Sequence, residues 1–116
     1  MTDTPIRVLL VDDHAMLRAG FRTILGTQPD IEIVGEAATG ADAVAQAAAL
    51  RPDVITMDVQ MPDMDGIEAT RRIVADPDIT AAIAIVTTFD RDDYLYQALD
   101  AGASGFLLKN AGPEDL

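Results

Sequence analysis

The chain has 116 residues, a formal net charge of −12 and no cysteine. That length suits one domain, here taken as 1–116, and about half the residues are hydrophobic, enough for a core without staples. The missing thiols exclude disulfides and cysteine chemistry, and the acidity argues against phosphate-backbone binding, since Arg71 and Arg72 are the only adjacent basic pair.

In chain order, the start MTDTPIRVLLVDD has no basic leader and only a short apolar run, so neither a signal peptide nor a membrane span is expected. IRVLLV (6–11) reads as a strand buried on both faces. Leu17, Phe21, Ile24 and Leu25 follow at helical spacing, with Gly26 as a stop. IEIVGEA (31–37) is a second strand. ADAVAQAAAL (41–50) is helical and ends at Arg51-Pro52. VITM (54–57) is a third strand, and Ile67, Thr70, Ile73 and Val74 mark a third helix closed by Asp76-Pro77. AIAIVTT (82–88) is a fourth strand, followed by a helix over about 90–101 with a stop at Ala101-Gly102. GFLLK (105–109) is the fifth strand.

This alternation predicts an α/β fold: a parallel sheet covered by helices on both faces. Right-handed crossovers favour the flavodoxin-like three-layer order 2-1-3-4-5. Pro113, Glu114 and Asp115 suit a first helical turn. The fifth helix is therefore expected to be largely missing, in a fragment of a longer protein. Apolar surface left uncovered by that helix predicts association, as a homodimer.

In such a sheet, ligands bind at the carboxyl ends of strands beside the reversal of strand order. Strand one ends in Asp12 and Asp13, and strand three in Asp58. Three carboxylates packed at one rim repel unless one protonates or a cation joins them. An all-oxygen set suits Mg2+. Thr87 closes strand four and Lys109 closes strand five at the same rim; a hydroxyl and an ammonium there can hold phosphate oxygens. Thr87 alone is an ordinary strand residue and Lys109 alone a solvated strand end. The combination carries the reading.

The stretch DVQMPDMDG (58–66) holds other acids with structural uses. Asp65, with Glu68 three residues on, resembles a capping box; Asp63 reads as a solvated turn residue. An EF-hand loop aligned on Gly66 fails, because its first and twelfth positions are Met61 and Arg72. His14, the only histidine, reads as a helix-start surface residue rather than a phosphodonor. Leu95 and Leu99 are expected to face inward, leaving Tyr94 and Tyr96 either as an exposed partner patch or as partly buried residues. Gly66 and Gly102 serve the backbone.

Together VDDH, DVQMPDMDG, VTT and AGASGFLLK resemble the response-regulator receiver domain of two-component signalling. The likeness spans the first strand to the start of the fifth helix, and DDH and GFLLKNA resemble the NarL/FixJ subfamily. The resemblance implies a phosphoprotein switch, not an enzyme turning over external substrate, acting in the cytoplasm. Asp58 is then the phosphoacceptor. Asp12, Asp13, Asp58 and the backbone carbonyl of Gln60 hold Mg2+, with Asp12 acting through water. Thr87 and Lys109 bind phosphoryl oxygens, and Phe106 is the switch partner of Thr87. Positions Gln60 and Phe89 flank the site and tune phosphoryl lifetime. Family members usually carry proline after this lysine; Asn110 stands here, leaving a cis bond after Lys109 open. The implied partner is a sensor histidine kinase. DNA would be bound through a helix-turn-helix domain that the chain lacks, for control of transcription. The alternatives are a Mg2+-dependent phosphohydrolase, which lacks its second acid because position 60 is glutamine, and a flavodoxin-like flavin module, which lacks a Ser/Thr/Gly-rich loop after strand one.

Overall fold

A computed structural model describes residues 5–59, 61–87, 97 and 99–108, with backbone alone for 87 and 106–108. Five parallel strands, β1 (Ile6–Val11), β2 (Ile31–Ala37), β3 (Val54–Met57), β4 (Ala82–Thr87) and β5 (Gly105–Leu108), form one sheet in the order β2-β1-β3-β4-β5. Among the described residues the helices with full ranges are α1 (Ala15–Gly26), α2 (Gly40–Leu50) and α3 (Gly66–Val74). Strand order, strand positions and parallel pairing match the expectation from sequence.

The order explains the layers. The chain steps from β1 out to β2, then crosses back over β1 to β3 and continues to β4 and β5. Right-handed crossovers in opposite directions put α1 on one face and α2 and α3 on the other. The strand pattern supplies both faces. Leu9, Val11, Ile55, Met57, Ile83 and Ile85 are buried in one cluster with Ala43 and Ala47 of α2 and Ile67, Ala69 and Ile73 of α3. Val8 and Leu10 alternate with them and are buried too, as a strand covered on both sides requires. Burying each large aliphatic chain contributes about 1.5–3 kcal/mol.

Local chemistry sets the helix ends. Thr39 caps α2 by accepting from the Asp42 N–H at 3.1 Å, and Arg51 ends it in the left-handed region at φ 49°. Pro52 follows and cannot continue the helix. Asp65 caps α3 by accepting from the Glu68 N–H at 2.8 Å, a cap worth about 1 kcal/mol. The reciprocal half of the expected capping box is absent: the Glu68 carboxylate turns to Arg71 at 2.9 Å and Arg72 at 3.0 Å. Those two guanidiniums hold the Glu68 carboxyl below its ordinary range, Arg72 contributing most.

Two expectations are corrected. Leu99 was expected to face inward, but it is 51% exposed, while Ala101 and Ala103 are buried. Residues two apart on a helix point about 200° apart, so burial of Ala101 turns Leu99 outward. Asp63 is exposed but is no idle turn residue. Its Oδ1 accepts from the Gly40 N–H and its Oδ2 from the Ala41 N–H, both at 2.8 Å. It thus caps α2 from a loop 23 positions further along the chain, satisfying amides that a helix start leaves without partners. Of the fourth helix, residues 97 and 99–101 are helical, and Gly102 closes it at φ 105°. Tyr94, Leu95, Tyr96, Ala98, Phe89, Asn110, Pro113, Glu114 and Asp115 lie outside the described residues.

Candidate phosphoacceptor and cation site

The rim is set by register. Val11 of β1 pairs with Met57 of β3, so the next residues, Asp12 and Asp58, emerge side by side. Both continue the ladders: the Asp12 N–H donates to the Ala37 carbonyl and the Asp58 N–H to the Val11 carbonyl, each at 3.0 Å. The two acids are 3% and 5% exposed. Carboxylates are rarely so buried unless paired, protonated or metal-bound.

Further bonds fix the carboxylates. Asp58 Oδ1 accepts from the Val59 N–H at 3.0 Å. Asp12 Oδ1 accepts from the His14 N–H at 2.8 Å. The Asp12 main-chain carbonyl accepts from Arg18, whose Nε lies 3.1 Å from Glu36 Oε1. Arg22 holds the other oxygen of Glu36 at 2.6 Å. A guanidinium clamp therefore ties the end of β1 to α1 and β2, and it left no trace in the sequence pattern.

Gly66 supports the acceptor from behind. A Cβ at that position would overlap the main-chain carbonyl of Asp58. The Gly66 N–H also donates to the Val59 carbonyl at 2.6 Å. Only a residue without a side chain lets α3 begin so close to the strand that carries the acid. Thr70, buried one turn later, donates to the Gly66 carbonyl at 2.7 Å.

Asp12, Asp13, His14 and Asp58 each offer one donor atom, and all four donors lie within 4.8 Å of one another. That limit is a little wider than the roughly 4.2 Å between opposite donors of an ion with bonds of about 2.1 Å, and the group is one that could hold a metal ion. His14 is the exposed helix-start residue expected from the sequence, at the N-cap of α1; that its ring also borders this cluster was not anticipated. Its Nδ1 lies 3.1 Å from Asp12 Oδ1 and 3.0 Å from Asp13 Oδ1. The signal available was its position two residues past Asp12, within reach of a local side-chain-to-backbone turn.

The remaining expected site residues are placed by backbone or not at all. Thr87 ends β4 and its backbone pairs with Leu108, while Phe106 pairs with Ile85. Both stand on the two strands next beyond β3; their side chains are outside the description. Gln60 and Lys109 lie outside the described residues.

Comparison with known proteins gives the same picture. The family model described as "Response regulator receiver domain" matches residues 8–116. The chain is 48% identical over 112 residues to the response regulator protein VraR of Staphylococcus aureus, covering 96% of this chain and 53% of that protein. It thus spans about half the length of the curated relatives it matches. The signal receiver domain of the putative response regulator NarL from Mycobacterium tuberculosis superposes with a TM-score of 0.88 at 34% identity, over 94% of this chain and 87% of the other. A DNA-binding response regulator of the LuxR family from Staphylococcus aureus gives 0.85 at 27% identity, over 95% and 91%. With its sheet order, its buried acid pair at the strand ends and these matches in agreement, the chain belongs to the response regulator receiver domain family.

Proposed function

We propose that Asp58 accepts a phosphoryl group and that this chain is the input half of a phosphorylation switch. The observation that supports it most directly is the burial of Asp58 beside Asp12 at the carboxyl ends of neighbouring strands, with Asp13 within reach of the same ion. In the reaction, an Asp58 oxygen attacks phosphorus in line. An oxygen–phosphorus bond forms as the bond to the donor breaks, and the electron pair leaves with the donor. That donor is a phosphohistidine on a sensor histidine kinase or a small acyl phosphate. The Val59 N–H orients the attacking carboxylate. Lys109 and Thr87 are assigned to the phosphoryl oxygens, and Asp12, Asp13, Asp58 and the Gln60 carbonyl to Mg2+, Asp12 through water. When bound, the cation offsets charge on the transferring oxygens.

The product carries roughly −1.5 to −2 charge where a carboxylate stood. Thr87 is drawn to those oxygens, and Phe106 turns into the space it leaves, changing the surface around β5. This shifts a two-state equilibrium. The output is a DNA-binding domain elsewhere in the full protein, as in the LuxR-family relative, and the regulator works as a homodimer in the cytoplasm. The chain catalyses only its own phosphorylation and slow dephosphorylation.

The test is intact mass after incubation with Mg2+ and acetyl phosphate. The wild-type chain is expected to gain one labile phosphoryl group, and Asp58→Asn none. Continuous phosphate release over many turnovers would instead mark a phosphohydrolase.

A further inference from the structure

The turn from β1 to α1 carries two of the rim acids, and one side chain outside the acidic cluster holds it. Arg18, in α1, donates through Nη1 to the main-chain carbonyl of Asp12. That carbonyl belongs to the peptide joining Asp12 to Asp13. The peptide is planar, so fixing its oxygen fixes the direction in which Asp13 leaves. The Arg18 main-chain N–H donates to the His14 carbonyl at 3.1 Å, and the His14 N–H donates to Asp12 Oδ1 at 2.8 Å. One arginine thus holds residues 12–14 at both ends. The guanidinium is itself anchored. Its Nε lies 3.1 Å from Glu36 Oε1, and Arg22 Nη1 takes the other Glu36 oxygen at 2.6 Å. Glu36 is fixed in β2, where it pairs with Leu10 of β1 and its main-chain carbonyl accepts from Gln46 Nε2 at 2.7 Å.

Docking of α1 onto the sheet would need only Arg22 and Glu36. Arg18 does more. Its side chain is 17% exposed, so its charge is largely out of water, which is costly unless it is hydrogen-bonded. The planar fork gives one donor to Glu36 and another to the peptide between two rim acids. Such charge-assisted bonds are the strong ones, and lysine has no fork to make both. No residue of α1 is buried, so packing gives the turn little of its definition. From this geometry we propose that Arg18, anchored by Glu36, is a positioning residue that sets the Asp12–Asp13 peptide and, with it, the aim of both carboxylates at the cation. This rests on reading the rim as a phosphoacceptor and cation site.

The experiment is calorimetric Mg2+ titration of the chain, with amide hydrogen exchange in Mg2+-free buffer as the second readout, for wild type, Arg18→Lys, Glu36→Gln and Ile73→Val. Arg18→Lys keeps the charge and loses the fork. It should weaken Mg2+ binding by about ten-fold or more, and it should speed exchange of the His14 N–H before any ion is present. Glu36→Gln leaves Arg18 in place and loosens only its anchor, so both effects should recur at smaller size; it carries the test if Arg18→Lys fails to fold. Ile73→Val thins the buried core under α3 and should lower stability with neither effect. Unchanged Mg2+ affinity or unmoved His14 exchange in the clamp variants overturns the proposal. So does an equal weakening by Ile73→Val, which would mark general destabilisation. In those cases a wild type that binds Mg2+ and gains one phosphoryl group from acetyl phosphate leaves the proposed function standing. A wild type that does neither overturns that function, and the proposal with it.

Discussion

Single residues hold the acceptor in place, and their removal has distinct signatures. Gly66→Ala puts a methyl group into the Asp58 carbonyl, so either α3 or the end of β3 must move. A loss of about 3 kcal/mol or more is expected by denaturant unfolding, together with slower phosphorylation, because the displaced backbone carries the acceptor. Asp63 gives a pH-dependent effect. The Ala41 and Gly40 N–H groups, in that order, hold its carboxyl below the usual aspartate range. The folded form thus binds its proton more weakly than the unfolded chain, so the contribution is fully present above the unfolded value of about 4 and fades as pH falls through the folded one. Asp63→Asn is therefore expected to unfold at lower denaturant than wild type at neutral pH, with the gap closing below about pH 4. A gap that is constant with pH would mean that charge is not what the α2 amides recognise. The contrast between Asp63 and Asp65 also marks what the sequence could disclose. Asp65 caps the helix that follows it, at a spacing any reader can count. Asp63 caps a helix that precedes it by 23 residues, and such a bond leaves no periodic signal. His14 escaped for a related reason: its spacing was visible, but the direction of its ring depends on the turn that brings its N–H to Asp12.

Among the elements, the strands were legible and the helix faces less so. Strands of four to seven residues, mostly apolar, lie between turn signals, and their apolar runs mark them as strands of a covered parallel sheet. The acids at the strand ends followed from the topology alone. Helix phase was harder, as Leu99 shows, because one alanine competing for the interior can rotate the whole turn. The first helix carries the other lesson. Its apolar residues recur at helical spacing, yet none of α1 is buried, and Met16 is 88% exposed. Leu17 and Ile24 are exposed as well. An apolar stripe of this kind in water favours association. Replacing Ile24 with lysine should lower the sedimentation coefficient of any dimer at high concentration. It should cost little stability, since the side chain is largely solvated already. An unchanged dimer would move the contact away from α1.

For the whole molecule, charge is the governing term. Twenty acidic residues against eight basic ones give the net charge of −12, and part of that excess is concentrated at one buried rim. A cation that binds only the folded chain adds stability by mass action, about 2.7 kcal/mol at a hundred times its dissociation constant. Adding Mg2+ should therefore raise the melting temperature, and a chelator should reverse the gain. In Asp13→Asn the Mg2+-dependent increment should shrink, whereas monovalent salt at equal ionic strength should act alike on both chains. No described helix is long and apolar enough to cross a membrane.

The Asp63 strap has a consequence for how the rim can open. The loop from β3 to α3 is tethered through one carboxylate to the first amides of α2. It cannot lift without baring Gly40 and Ala41 to solvent deuterium. Their exchange rates therefore form a built-in gauge of loop release, readable at two backbone amides without touching the acceptor carboxylate.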